Sequence, residues 1–121
     1  MDLAPWRAFI LDTAALHHGI GPLAESLKWG EPSFTPLARN VGSSVRLAGR
    51  GPGRVALLFI CHTGLIGQFR EIYPALTYEG NRAIVVDAAT PLDPLRHCVT
   101  LALTYFLRRP EAPLRRRQNF A

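Results

Sequence analysis

The sequence predicts an α+β protein in which an antiparallel or mixed five-stranded sheet packs against helices. Two observations support this prediction. Several apolar segments of strand length are joined by short turns rich in glycine, and other segments repeat apolar residues at helical spacing. Strands joined by hairpins pair antiparallel, and a helix with one apolar face must cover a sheet to bury that face. We therefore expect a sandwich of helices on a sheet.

Four segments are predicted to be helical. Residues 6–17 repeat apolar side chains at i, i+3, i+4 and i+7. Residues 22–28 follow as a short helix that Gly30 ends. A third helix lies within residues 63–74, between a threonine cap and a proline. The last helix, residues 93–106, has a broad apolar stripe that predicts burial against the sheet.

Five segments are predicted to be strands. Residues 33–36 form a short edge segment, and residues 43–48 alternate apolar and polar side chains. A glycine-rich turn leads to residues 54–60, which are apolar at nearly every position and therefore predict a central strand covered on both faces. A Gly-Asn pair separates residues 76–79 from residues 82–87 and predicts a tight hairpin.

Length and composition are those of one globular domain. The chain has 121 residues, of which 48% are hydrophobic and 19% are charged. We expect a single domain over residues 1–107 and an arginine-rich tail over residues 108–121. No apolar run approaches the roughly 20 residues that a membrane helix needs, and no signal peptide is evident. We therefore expect a cytoplasmic protein without a membrane partner.

The positive charge is concentrated in the predicted tail. Residues 108–121 contain five arginines and one glutamate, which account for most of the net charge of +5. A terminus of this kind is typically solvated, and it adds at most nonspecific, salt-sensitive contacts to phosphates. Because the body of the chain is nearly neutral, the charge does not predict a nucleic-acid-binding protein.

Three motifs resemble the YdhG-like family. They are Leu-Lys-Trp-Gly-Glu-Pro-Ser at residues 27–33, Phe-Arg and Tyr-Pro within residues 69–74, and Tyr-Glu-Gly-Asn-Arg-Ala-Ile at residues 78–84. The resemblance covers about residues 5–107. It implies a small intracellular bacterial α+β protein from a family that is catalogued largely as a domain of unknown function. Some relatives are described as frataxin-like iron chaperones.

The same motifs hold most of a polar cluster around the only lysine of the chain, Lys28, in a protein with thirteen arginines. The candidate ligand-binding residues are Glu25, Lys28, Trp29, Arg46, Arg70, Tyr73, Glu79 and Arg82. The guanidinium group of arginine can donate two parallel hydrogen bonds to a carboxylate or phosphate group, so we expect a concave site for a small anionic molecule. The alternative is a structural network, in which Lys28 or Arg82 pairs with a glutamate and Trp29 is packed.

Metal and thiol chemistry have weaker support. Histidine and cysteine occur as adjacent pairs, and neighbouring side chains point in different directions, so we predict no metal ligands and no cofactor. Cys61 and Cys98 are expected to be reduced core residues, which could form a disulfide only if their elements pack together. Cys61-His62, where a strand ends, leaves a thiol enzyme open as an alternative.

The function predicted from the sequence is non-enzymatic binding of a small, anionic ligand or of a protein partner, with no catalytic residues assigned. The first alternative is a frataxin-like intracellular iron chaperone. Iron delivery needs clustered carboxylates, and the first predicted helix and its surroundings offer only Asp2 and Asp12. A thiol- or metal-dependent enzyme is the second alternative.

Overall fold

A computed structural model describes residues 3–108 of the chain. The first half contains helix α1 (Ala4–Ala15) and four strands, β1 (Leu23–Lys28), β2 (Glu31–Pro36), β3 (Val45–Gly49) and β4 (Val55–Phe59). The second half begins with a 3₁₀ turn at Cys61–Thr63. It continues with α2 (Leu65–Ile72), β5 (Thr77–Glu79), β6 (Ala83–Val86), α3 (Leu92–Leu103) and α4 (Tyr105–Arg108).

The strands form one antiparallel sheet of six strands in the order β1-β2-β3-β4-β6-β5. The α+β class and the antiparallel pairing predicted from the sequence are therefore confirmed. The predicted count of five strands was wrong, because β1 is an additional strand. Both predicted hairpins, β3–β4 and β5–β6, are present.

The additional strand occupies the segment that was predicted to be a short helix. β1 pairs with β2 over its whole length, from Leu23 opposite Pro36 to Lys28 opposite Glu31. The two residues between the strands, Trp29 and Gly30, have φ values of 55° and 76°. Positive φ at both central positions is the geometry of a tight β-hairpin. β2 consequently lies inside the sheet, although residues 33–36 were predicted to form an edge.

The hydrophobic core lies between one face of the sheet and helices α1, α2 and α3. Strand β4 is buried at all five positions and lies between β3 and β6, as its continuous apolar sequence predicts. The largest fully buried side chains include Phe34, Phe69, Ile10 and Leu57. Burial of these apolar surfaces is the main source of stability.

The opposite face of the sheet, which we call the open face, carries no helix among residues 3–108. Its centre is a small buried cluster of Ala48, Ala56, Leu58 and Ala83. The three alanines of this cluster leave room above the sheet for long charged side chains from neighbouring strands. The open face is therefore a polar surface with a small apolar floor.

None of the helices described within residues 3–108 has the length and hydropathy needed to cross a membrane. The longest have 12 residues, whereas a spanning helix needs about 20. The predicted tail, residues 108–121, lies outside the described residues except for Arg108, which ends α4.

Candidate functional site

A cleft of about 310 Å³ lies on the open face, close to the end of β4. Three of its lining residues are cationic, three are polar and three are apolar. We call it the cation cleft, and its lining residues are Lys28, Arg46, Arg82, Ser33, Ser44, Cys61, Leu58, Phe59 and Ile60. The cleft thus combines a positive rim with an apolar floor.

The three cations come from distant parts of the chain. Lys28 ends β1, Arg46 lies in β3, and Arg82 lies in the turn between β5 and β6. Residues directly opposite each other in antiparallel strands point to the same face. Arg46 is opposite Ser33 on one side and Leu58 on the other, so the side chains of Arg46, Ser33 and Leu58 all lie on the open face. The sheet register therefore builds the centre of the cleft.

Arg46 is held at the edge of the cleft by a carboxylate. Its Nε atom lies 2.9 Å from Oε1 of Glu31, and its side chain is 23% exposed. The N–H bond does not point at that oxygen, however, so the buried Nε atom has no hydrogen-bond partner. A hydrogen bond requires alignment as well as proximity. Arg46 is therefore ion-paired with Glu31, while its Nε–H donor makes no hydrogen bond.

The other two cations have no such anchor. Within residues 3–108 the structure records no hydrogen bond or ion pair from the Lys28 ammonium or from the Arg82 guanidinium. Both residues are exposed at the mouth of the cleft. Cationic side chains that line one cavity repel each other, so this arrangement favours an anion between them.

A second charged pair crosses the open face beside the cleft. Arg50 Nε and Nη2 donate to the two carboxylate oxygens of Glu79, each at 2.9 Å. Because β4 and β6 lie between β3 and β5, this bidentate pair spans two strands. The hydrogen bond from Arg50 is the main reason that the pKa of Glu79 is lowered. Glu79 is thus engaged by Arg50, and the positive charge of Arg82 contributes further to the lowering of its pKa.

The structure separates the remaining predicted site residues from the cation cleft. Glu25 is paired with Arg7 of α1, through contacts of 2.8 and 2.9 Å. Tyr73 shares a hydrogen bond of 2.7 Å with Nδ1 of His97. Both pairs lie on the side of the sheet that the helices cover. The alternative pairing of Lys28 or Arg82 with a glutamate of this set is not formed, because Arg7 and Arg50 occupy Glu25 and Glu79.

Arg70 also lies away from the cleft, at the end of α2. Its guanidinium donates to the carbonyl oxygen of Gly80 and lies 5.1 Å from the ring centroid of Tyr78. These contacts tie the end of α2 to the β5–β6 hairpin. Arg70 therefore connects two elements of the fold and does not line the cleft.

Three polar lining residues were not among the predicted site residues. Ser33 and Ser44 lie on the polar faces of β2 and of the segment leading into β3. The alternation in residues 43–48 places Ser44 beside Arg46, and this signal could have identified it. Cys61 is exposed, contrary to the prediction of a core cysteine, because β4 ends before it. Cys98 is buried as predicted, and burial raises the pKa of its thiol to about 12.

No group of three histidine, cysteine, aspartate or glutamate side chains is arranged to hold a metal ion anywhere in the described range, residues 3–108. The adjacent His17 and His18 rings stack at 6.0 Å, and Nδ1 of His17 accepts a hydrogen bond from the Gly19 amide. The histidine pair therefore has a local structural contact.

Trp29 occupies the tip of the β1–β2 hairpin with 91% of its surface exposed. Left-handed backbone costs an L-residue with a side chain about 1–2 kcal/mol, whereas Asn tolerates it. We expect Trp29→Asn to raise the free energy of unfolding by about 0.5–1 kcal/mol. Urea denaturation measures this change, and Gly30→Ala is the opposite control because it adds a side chain at φ 76°. A less stable Trp29→Asn variant would contradict the expectation.

Comparison with protein-family models, with curated proteins and with solved structures finds no match for this chain. The functional interpretation therefore depends on the geometry and charge of the cation cleft.

Proposed function

We propose that this protein is a non-enzymatic, YdhG-like binding protein that holds a small anionic molecule in the cation cleft. A single observation carries the proposal: Lys28, Arg46 and Arg82, which are far apart in sequence, line one cavity. Of these three cations, only Arg46 forms an ion pair with a carboxylate among residues 3–108. The arrangement costs electrostatic free energy in the absence of an anion and gains it when an anion is bound.

The lining and the volume of the cleft are also typical of a site for a small molecule. Binding cavities combine an apolar lining with a few polar groups that orient the ligand. Here the side chains of Leu58 and Ile60 supply the apolar part, and the serine hydroxyls of Ser33 and Ser44 add polar groups. A volume of about 310 Å³ is at the lower end of the range for such sites, so it favours a small metabolite over a polymer.

A protein partner is the second candidate, and the hairpin tip is the observation that favours it. Trp29 is almost fully exposed, and Leu27, two residues earlier on β1, is exposed as well. Exposed tryptophan is frequent at the centres of protein interfaces. Loss of partner binding in Trp29→Asn, with anion binding retained, would separate this role from that of the cleft.

Cys61 provides a direct test of anion binding. The chain has two cysteines, and Cys98 is fully buried, so a thiol reagent reports on Cys61 in the native protein. We expect inorganic phosphate to slow the alkylation of Cys61 by neutral iodoacetamide several-fold, because the bound anion covers one wall of the cleft. Mass spectrometry of the intact protein measures the rate, with sodium chloride at equal ionic strength as the reference.

Two variants test whether the cleft is responsible. Lys28→Gln combined with Arg82→Gln should abolish the protection of Cys61 by phosphate. Arg39→Gln removes one positive charge from an exposed residue that does not line the cleft, and it should leave the protection unchanged. If phosphate gives no protection and isothermal titration shows no heat for any small anion, the proposed function is wrong.

A further inference from the structure

We infer that the ligand of the cation cleft carries two negative charges on one head group, as a phosphate monoester does, and that this head group is attached to a compact apolar body. The inference rests on the proposed function, and it names the class of ligand for the same site. Charge, hydrogen-bond donors and cavity size each contribute to it.

The charges that face the cleft leave an excess of two. Lys28, Arg46 and Arg82 supply three positive charges, and Glu31 next to Arg46 supplies one negative charge. The adjacent Arg50–Glu79 pair is neutral as a unit. A monoanion would leave one positive charge uncompensated, whereas a dianion matches the excess. Charge complementarity of this kind governs selectivity between ligands of similar shape.

The free donors suit a head group with several acceptor oxygens. The unpartnered cationic donors at the cleft are the Lys28 ammonium and the Arg82 guanidinium. The buried Nε of Arg46 faces Glu31 and is not part of this set. A phosphate monoester presents three strong acceptor oxygens and, above its second pKa of about 6, nearly two negative charges. A carboxylate offers two oxygens and one charge, so it would leave part of this donor set without a partner.

The floor of the cleft sets the size and polarity of the rest of the ligand. A cleft of about 310 Å³ lies at the lower end of the range for small-molecule sites, so it favours a compact ligand. The side chains of Leu58 and Ile60 make the floor apolar, and they would contact an apolar body better than a hydroxylated one. We therefore expect a compact ligand with an apolar body, such as phenyl phosphate.

Phenyl phosphate and its methyl ester form a matched pair of probes that differ chiefly in one unit of charge. At about pH 8 the monoester is a dianion and the methyl ester is a monoanion. We expect isothermal titration to give at least about tenfold tighter binding of the monoester to the full chain, which corresponds to about 1.4 kcal/mol. The preference should shrink at about pH 5, where the monoester takes up a proton.

Two substitutions change the excess charge in opposite directions. Arg82→Gln should reduce the preference for the monoester to about threefold or less, because it removes one of the two uncompensated charges. Glu31→Gln should strengthen binding of both esters, because Arg46 loses its competing carboxylate. Arg39→Gln is again the control for the overall charge of the protein, and it should leave the preference unchanged.

Each remaining outcome has one meaning. Binding of neither ester, nor of phosphate, would refute the proposed function itself. Equal binding of the two esters would refute only the inference of a dianion and leave the anion site in place. Equally tight binding of succinate would refute a single head group. Binding to vesicles with phosphatidic acid but not with phosphatidylcholine alone, without heat from phenyl phosphate, would refute a soluble ligand.

Discussion

Phe69→Ala is expected to lower the free energy of unfolding by about 3–5 kcal/mol. Phe69 lies on the buried face of α2 with 0% of its surface exposed. Its ring packs edge-to-face on Phe59 of β4 at a centroid distance of 5.2 Å. Truncation to Ala removes the contact between helix and sheet and leaves a cavity that the rigid sheet cannot close. The loss is a large part of the stability of an ordinary domain.

Chemical denaturation measures this loss, and Ile72 on the same helix provides a matched control. Ile72 is 48% exposed, so Ile72→Ala should cost only a fraction as much. If Phe69→Ala is too unstable to fold, Phe69→Leu keeps most of the apolar volume and should show an intermediate loss. A loss below about 1 kcal/mol in Phe69→Ala would show that α2 does not pack on β4 as described.

Gly42→Ala is expected to destabilise the protein by about 3 kcal/mol or more, at the upper end of the range for overpacking. A Cβ atom at position 42 would lie 1.9 Å from the carbonyl oxygen of Leu103, so the backbone must move. One hydrogen bond joins the same loop to the end of α3, and a second joins it to α4. The Ser43 amide donates to Ala102 O at 2.8 Å, and the Phe106 amide donates to Val41 O at 3.0 Å.

These bonds explain why the position is sensitive. The last carbonyl groups of a helix lack partners within the helix, and here the loop before β3 satisfies one of them. A shift of the loop breaks that contact and disturbs Leu103, which is fully buried. The expected loss therefore combines steric overlap with lost hydrogen bonds.

Gly67→Ala is the matched control for Gly42→Ala. Gly67 lies inside α2, and an added Cβ atom would meet nothing within 4 Å. Ala is favoured over Gly in a helix by about 0.5–1 kcal/mol, so this variant should be more stable than the natural protein. Thermal unfolding of both variants measures the contrast. Similar behaviour of the two would contradict the close approach of the loop to α3.

The segment 22–28 shows why part of the fold could not be predicted from local sequence. Its apolar residues are compatible with one short helix or with an edge strand, because edge strands bury little on either face. The choice depends on β2, which supplies pairing partners for all six residues of β1. Strand β4, by contrast, was identified correctly because a continuous apolar run bounded by turns needs no information about its neighbours.

The candidate site, like the fold, was predicted only in part from the sequence. Lys28 and Arg82 were singled out within the quoted motifs and Arg46 as a further arginine of the predicted polar cluster, and all three line the cation cleft. Arg70 and Tyr73 were singled out by the same reasoning. Arg70 lies on α2 and Tyr73 at the end of this helix, on the side of the sheet that the helices cover. Proximity in a motif does not specify the face, because the face depends on strand register and helix packing.

Apolar periodicity and turn residues, which are properties of short stretches of chain, were enough to establish the class of fold and the central position of β4. The composition of the cation cleft is a property of six paired strands. It required the register that sets Arg46 opposite Ser33 and Leu58, and the hairpin that makes Lys28 the end of a strand. The cleft depends on these pairings because its three cations are brought together by contacts between residues far apart in sequence, which no local pattern encodes.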